Sequence, residues 1–177
     1  HFIKAKPYQN GSSMTRQLLP FLESLTIIHS RKHFQEKGAN VNAIHFHQHG
    51  SLEQVRFGPL PRPEIGPDEV LLQVKAAAYN RLDLWVLAGW PGLNLKLPHV
   101  LGSDGAGVVA EIGENVTEFA VGNRVAVNPT LSCGHCAYCT SERENLCDDP
   151  RFTGYNLDGG FAEYCVLPAR YTLLLDD

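Results

Sequence analysis

From Val41 onward, apolar and polar residues mostly alternate with a period of two, the mark of strands that present one face to a core. Over 42–49, Ile44 and Phe46 share one face while His45, His47 and His49 share the other, which predicts a strand with a solvated histidine face. A Gly50-Ser51 turn leads into a second predicted strand over Glu53–Phe57. The stretch 58–67, Gly-Pro-Leu-Pro-Arg-Pro-Glu-Ile-Gly-Pro, is expected to be an extended linker, because its prolines lack the N–H that pairing needs. Glu69–Ala77 predicts a strong strand with Val70, Leu72, Val74 and Ala76 on one face. Further strands are predicted over Gly107–Ile112, Arg124–Val127, Phe161–Leu167 and Tyr171–Leu175. One short helix interrupts them. Asn80 is its N-cap, Asp83 completes a capping-box spacing, and Gly89 stops it. Leu82, Trp85 and Val86 are its expected apolar face, with Trp85 in the core. Short strands, frequent turn residues and few helices predict a mainly β, barrel-like domain.

The first forty residues follow another pattern. Leu18, Leu22, Leu25 and Ile28 recur at helical spacing, and Lys4, Lys6, Arg16, Arg31, Lys32 and Lys37 outnumber Glu23 and Glu36. A targeting presequence, a helix docked on the domain, and upstream sequence outside the functional protein are the three readings. The last is favoured, because the β pattern starts abruptly at Val41. The expected division is therefore an extension over 1–40 and a domain over 41–177. A domain of that length can bury a core of its own. The net charge of −4 is spread along the chain, which argues against a nucleic-acid partner. No apolar run reaches the length of a bilayer span, so no membrane partner is expected either.

Four of the five cysteines fall within fifteen residues, as Cys133-x2-Cys136-x2-Cys139-x7-Cys147. Clustering of this kind points to metal binding in a reducing, cytoplasmic compartment rather than to a disulfide scaffold. Two-residue gaps let a tight turn aim successive sulfurs at one point, and the longer gap brings back a fourth. Zn2+ takes four thiolates in closed structural sites. Iron–sulfur proteins also use Cys-x2-Cys-x2-Cys runs, but with a fourth cysteine after three residues and before a proline. The seven-residue gap favours zinc over a cluster or a metal-free lobe. His135, between two ligands, is surplus to a complete shell. Cys165 sits in an apolar run and reads as a buried core thiol.

The lobe, the turn Gly122-Asn123-Arg124-Val125 and the runs Leu101-Gly-Ser-Asp-Gly-Ala-Gly-Val-Val109, Ala76-Ala-Ala-Tyr-Asn-Arg-Leu-Asp83 and Gly159-Gly-Phe-Ala-Glu-Tyr164 resemble the medium-chain dehydrogenase/reductase superfamily. The resemblance implies a GroES-like, partly open β-barrel over 41–177, an NAD(P)H cofactor and a homo-oligomeric full-length enzyme. In the complete enzyme a Rossmann domain follows. No Gly-x-Gly-x-x-Gly is present, and Gly102-Ser-Asp-Gly-Ala-Gly107 has the wrong spacing, so that domain is expected to be absent from this chain. The chain is accordingly expected to be an inactive fragment of a longer enzyme. The glycines of 102–107 read instead as permitting close backbone packing.

Members with a catalytic zinc carry cysteine where this chain has Asn80 and histidine where it has Ser103. An amide and a hydroxyl are poor zinc ligands. The resemblance is therefore closer to the quinone-reductase-like branch, with a retained structural zinc. Adding hydride to an enone or quinone needs less polarisation than adding it to a simple carbonyl, so hydrogen-bond donors can replace the Lewis acid. On this resemblance Asn80 contacts substrate or the nicotinamide ribose, Asp104 is the acidic residue near the active site, and Arg81 meets the cofactor phosphate. Trp85 and Trp90 are candidate walls of a substrate pocket. Competing structural readings are an N-cap for Asn80, a turn-stabilising carboxylate for Asp104 and a solvated helix arginine for Arg81. The expected function is hydride transfer between a nicotinamide and a small enone, quinone, aldehyde or alcohol. The alternative is a non-catalytic zinc-stabilised binding or assembly module.

Overall fold

The computed structural model describes residues 38–176. The helix expected within Leu18–Ile28 lies outside the described residues, as does most of the 1–40 extension. Among the described residues, ten strands form three sheets, with one α-helix among them. The first sheet has the order β2-β1-β4, from Val55–Pro61, Asn40–Phe46 and His99–Val100. The second runs β10-β6-β5-β3-β9, from Thr172–Leu174, Arg124–Val127, Asp104–Ile112, Glu69–Ala78 and Tyr164–Pro168. A two-stranded ribbon, β7 (Thr130–Leu131) and β8 (Arg151–Phe152), flanks the cysteine lobe.

The main core forms where β3 alternates as predicted. Val70, Leu72 and Val74 pack with Val109, Val125, Val127, Cys165 and Leu167, all buried. Each such side chain contributes about 1.5–3 kcal/mol by leaving water. The alternation breaks at Ala76, which is exposed, while Ala77 packs against the core instead. A register shift between Val74 and Ala76 re-aims the strand by one residue. Leu71 faces the other way, into a smaller cluster with Val41 and Tyr164.

Three strand expectations are corrected. The stretch through Pro61 is not a linker: β2 pairs with β1 from Phe46↔Val55 to Asn40↔Pro61. It sits at the edge of its sheet, where a proline's missing N–H costs no ladder bond. Phe161–Glu163 precede β9 rather than belonging to it. Ile44 N–H donates to Phe161 O (2.7 Å), Glu163 N–H to Asn42 O (3.0 Å) and Val74 N–H to Glu163 O (3.0 Å). These bonds tie the small sheet to the large one and curl the pair into a partly open barrel. Finally, β1 has no solvated histidine face. It is the middle strand of its sheet, and His45 is buried beside Ile44 and Phe46, leaving only His47 exposed.

The helix, α1 (Arg81–Ala88), forms where expected and ends at Gly89, but buries Asp83, Val86 and Leu87. Trp85 is 58% exposed and is not core. The glycine reading holds at Gly107, where a Cβ would collide with the carbonyl of Gln73 on the neighbouring strand. Among the described residues no helix is long and apolar enough to cross a membrane.

Candidate functional site

Two separate constellations stand out. The first is the cysteine lobe, which has almost no apolar interior. Two short 3-10 turns, Cys139–Ser141 and Glu144–Leu146, fold it back on itself. Main-chain donors point at the sulfurs: Cys136 N–H to Cys133 Sγ (3.3 Å), Cys139 N–H to Cys136 Sγ (3.5 Å) and Cys133 N–H to Cys147 Sγ (3.2 Å). The sulfurs of Cys133 and Cys139 are 3.8 Å apart, those of Cys136 and Cys139 3.4 Å, and all four lie within 4.8 Å of one another. Four thiolates placed tetrahedrally at ~2.3 Å from a zinc ion are about 3.8 Å apart. The residues therefore fit one such ion. His135 is exposed and its Nδ1 lies 3.1 Å from Cys133 O, outside the converging set.

Two of the thiols, Cys136 and Cys147, are pushed in opposite directions. Cys136 is drawn down to about 6, chiefly by the Asp148 N–H and then by that of Cys139. Cys147 is pushed the other way, to about 11: the Cys133 N–H favours its thiolate, but burial and the neighbouring sulfurs of Cys133 and Cys139 outweigh it. Such crowding is relieved when a cation replaces the protons. Cys165, by contrast, is a buried core thiol, and burial pushes it up to about 12.

The second constellation lies at the N-terminus of α1. Asn80 Oδ1 accepts from Leu82 N–H (3.0 Å), while Asp83 Oδ2 accepts from Asn80 N–H (2.8 Å), so the capping box is complete. Asp83 does more than cap. Its Oδ1 accepts from Gly102 N–H (3.1 Å), pinning the entry of β5 to the helix. Asp83 is only 2% exposed, and burial raises it to about 6 against the pull of the Asn80, Gly102 and Ser103 N–H groups, with Asp104 adding repulsion. Asn80 Nδ2 donates to Asp104 Oδ2 (3.0 Å). The structure thus brings Asn80 and Asp104 together. Two amide hydrogens sit on Nδ2, so one stays free to donate to an incoming oxygen. Ser103 is buried, and its Oγ has no hydrogen-bond partner. Arg81 is exposed on the helix.

Trp90 is 43% exposed, with its ring centroid 5.5 Å from that of Tyr155, and Trp85 is exposed as well. His99 escaped the sequence reading. It is 3% exposed, with Nδ1 3.5 Å from Asp158 Oδ1 and Nε2 3.4 Å from Gly154 O, and burial lowers its pKa while Asp158 opposes that. No spacing signal marks His99, because its partners lie more than fifty residues away. A cavity of about 600 Å³ opens elsewhere, between the lobe at Ser132 and Cys133 and the barrel wall at Val41, Ala43, Val100 and Ala162. Among the described residues, the four cysteines are the group of metal-ligating side chains whose ligand atoms converge.

The sequence profile of the alcohol dehydrogenase GroES-like domain matches residues 66–177. An alcohol dehydrogenase of Schizosaccharomyces pombe is 40% identical over 134 residues, which are 75% of this chain and 38% of that protein. A solved NAD-dependent alcohol dehydrogenase superposes with a TM-score of 0.72 at 44% identity, over 75% of this chain and 39% of the other. A cobalt- and zinc-bound thermostable alcohol dehydrogenase from Pyrobaculum aerophilum superposes with a TM-score of 0.71 at 36% identity, over 78% of this chain and 42% of the other. The chain thus spans about two fifths of the length of these proteins.

Proposed function

This chain belongs to the alcohol dehydrogenase GroES-like domain family, and we propose that it supplies the substrate-side domain of an NAD(P)-dependent oxidoreductase. A nicotinamide, when bound, donates or accepts the hydride. The domain's part is to hold a small substrate at the N-terminus of α1. The free N–H of Asn80 Nδ2 donates to the substrate oxygen, or to a ribose hydroxyl that fixes the cofactor. Asp104 accepts from the other N–H and so holds the amide in that orientation. Arg81, exposed beside Asn80, carries the cation that meets the cofactor phosphate.

The zinc belongs to the lobe, held by Cys133, Cys136, Cys139 and Cys147, and its role is structural. A complete tetrahedral thiolate shell has no open position for substrate. The observation that carries this division is the donor set at the helix. An amide and a hydroxyl stand there, with Asn80 already committed to Asp104 and to the helix cap. Without a Lewis acid, substrates whose developing charge delocalises are favoured: enones and quinones before simple aldehydes and alcohols.

The test uses the complete polypeptide that carries this chain. NADH and NADPH oxidation is followed with enone, quinone and aldehyde acceptors, and the reverse reaction with alcohols. Turnover with an acceptor, lowered roughly 100-fold in kcat/KM by Asn80→Ala with KM little changed, is the expected result, on the scale of a lost transition-state donor. Absence of turnover with every acceptor, at full zinc occupancy, means that the domain is a zinc-stabilised binding module instead.

A further inference from the structure

We propose that Arg170 is a positioning residue for the lobe's metal centre: its guanidinium supplies the positive charge that a four-thiolate zinc site lacks, and so slows release of the ion. This inference rests on the metal assignment made above.

The charge balance favours such a group. One Zn2+ with four thiolates carries a net charge of −2. The segment 133–151 adds four acidic side chains, Glu142, Glu144, Asp148 and Asp149, against Arg143 and Arg151. Its own cations are already engaged. Arg143 lies over the Tyr138 ring at 5.2 Å and donates to Ser141 Oγ (3.1 Å), while Arg151 faces Asp149 at 3.7 Å. The lobe is therefore strongly anionic once loaded, and a cation from outside it is stabilising.

Arg170 comes from outside, on the 3-10 turn Ala169–Tyr171 between β9 and β10. Its guanidinium is packed against the backbone of Gly134, between the ligands Cys133 and Cys136. A Cβ built on Gly134 would collide with Nη1, and Gly134 has a φ of 81°. The side chain is aimed by stacking on the neighbouring Tyr171 ring, 4.7 Å from Cζ to centroid. Tyr171 in turn grips the residue before the first ligand. Its hydroxyl accepts from Ser132 N–H (2.9 Å), donates to Ser132 O (2.7 Å) and sits 2.5 Å from Ser132 Oγ. One short turn of the barrel thus fixes the mouth of the lobe with Tyr171 and lays a cation on its first ligand loop with Arg170. Partners of this outer kind commonly alter metal affinity by roughly 10- to 100-fold.

The experiment follows zinc release from the chain into excess chromogenic chelator, for the parent and for Arg170→Met, Arg170→Lys and Arg170→Ala. Arg170 is exposed, so the variants keep the core. Methionine keeps the stem and removes the charge; lysine keeps the charge and loses the flat stack. Release from R170M and R170A is expected roughly 10-fold faster than from the parent, with R170K between. Added salt should speed release from the parent and R170K more steeply than from R170M, because R170M has one fewer charge facing the lobe to be screened. Parent-like release from R170M, or R170K releasing as fast as R170M, overturns the inference while leaving the metal site standing. A parent that binds no zinc overturns the metal assignment itself.

Discussion

The cysteine lobe and the N-terminus of α1 are held together by opposite means. The lobe's order comes from what its side chains bind: four sulfurs and a few N–H donors. The helix site is ordered before anything binds. Asp83 is sealed beneath it and joins Asn80 to Gly102 through main-chain bonds, on top of the buried Val86 and Leu87. A region built on coordination should fail when its ion is taken away. A region built on backbone hydrogen bonds should be indifferent to chelators and sensitive to protons.

The largest effect that sharpens this contrast is expected from Cys139→Ser. It leaves three thiolates for one ion, and the lobe should lose its metal. The lost stabilisation is about 4 kcal/mol or more, the gain from a ligand present at ~1,000 times its dissociation constant. Calorimetry with and without chelator checks this. Parent and mutant should melt together once chelator is present.

Asp83→Ala should come next. It strips the acceptor from the N–H groups of Asn80 and Gly102 in a buried setting. A cost of about 2–4 kcal/mol is expected in urea unfolding, from a lost cap and unsatisfied donors together. The zinc content should be untouched. Loss of zinc in this mutant would break the contrast.

A third effect is the pH dependence that Asp83 imposes. Its folded pKa of about 6 lies above the usual carboxylate range, so the folded state holds its proton more tightly than the unfolded chain does. The contribution is favourable below pH ~4 and is lost as pH rises towards ~6, by a few kcal/mol at most. The stability of the parent relative to Asp83→Asn should therefore fall across that window and be level above it. A difference that rises with pH would show that the N–H bonds outweigh burial at Asp83.

The smallest effect is expected at Trp85. Because it is 58% exposed, Trp85→Ala should change stability by no more than about 0.5 kcal/mol. A core tryptophan would cost about 3–5 kcal/mol. If Trp85 lines a substrate pocket, KM should move while the melting temperature does not.

These two regions also differed in how much the sequence disclosed. The lobe was legible because coordination chemistry writes itself into short spacings, and the seven-residue gap from Cys139 to Cys147 separates the run from an iron–sulfur one. The cap was legible for the same reason: Asn80 and Asp83 lie within one turn. What stayed hidden depends on distant chain. Asp83 is buried, and one of its partners, the Gly102 N–H, lies nineteen residues along the chain. Trp85 has helical spacing with Val86, yet spacing does not say which side of a short helix meets the core. His45 alternates like a solvated residue, but β1 became a central strand covered on both faces. Pro59 and Pro61 argued against pairing, and an edge position removed the objection. The β-rich domain itself was visible in the alternation of Val70, Leu72 and Val74, up to the bulge that displaced Ala76.

The most direct measurement is the zinc content of the purified chain, taken for the parent, Cys139→Ser and Asn80→Ala side by side. One ion per chain in the parent, none retained by Cys139→Ser and one kept by Asn80→Ala is the predicted result. Two ions in the parent, or an ion lost with Asn80 and kept without Cys139, would place the metal at the helix and contradict the division of labour between the two regions.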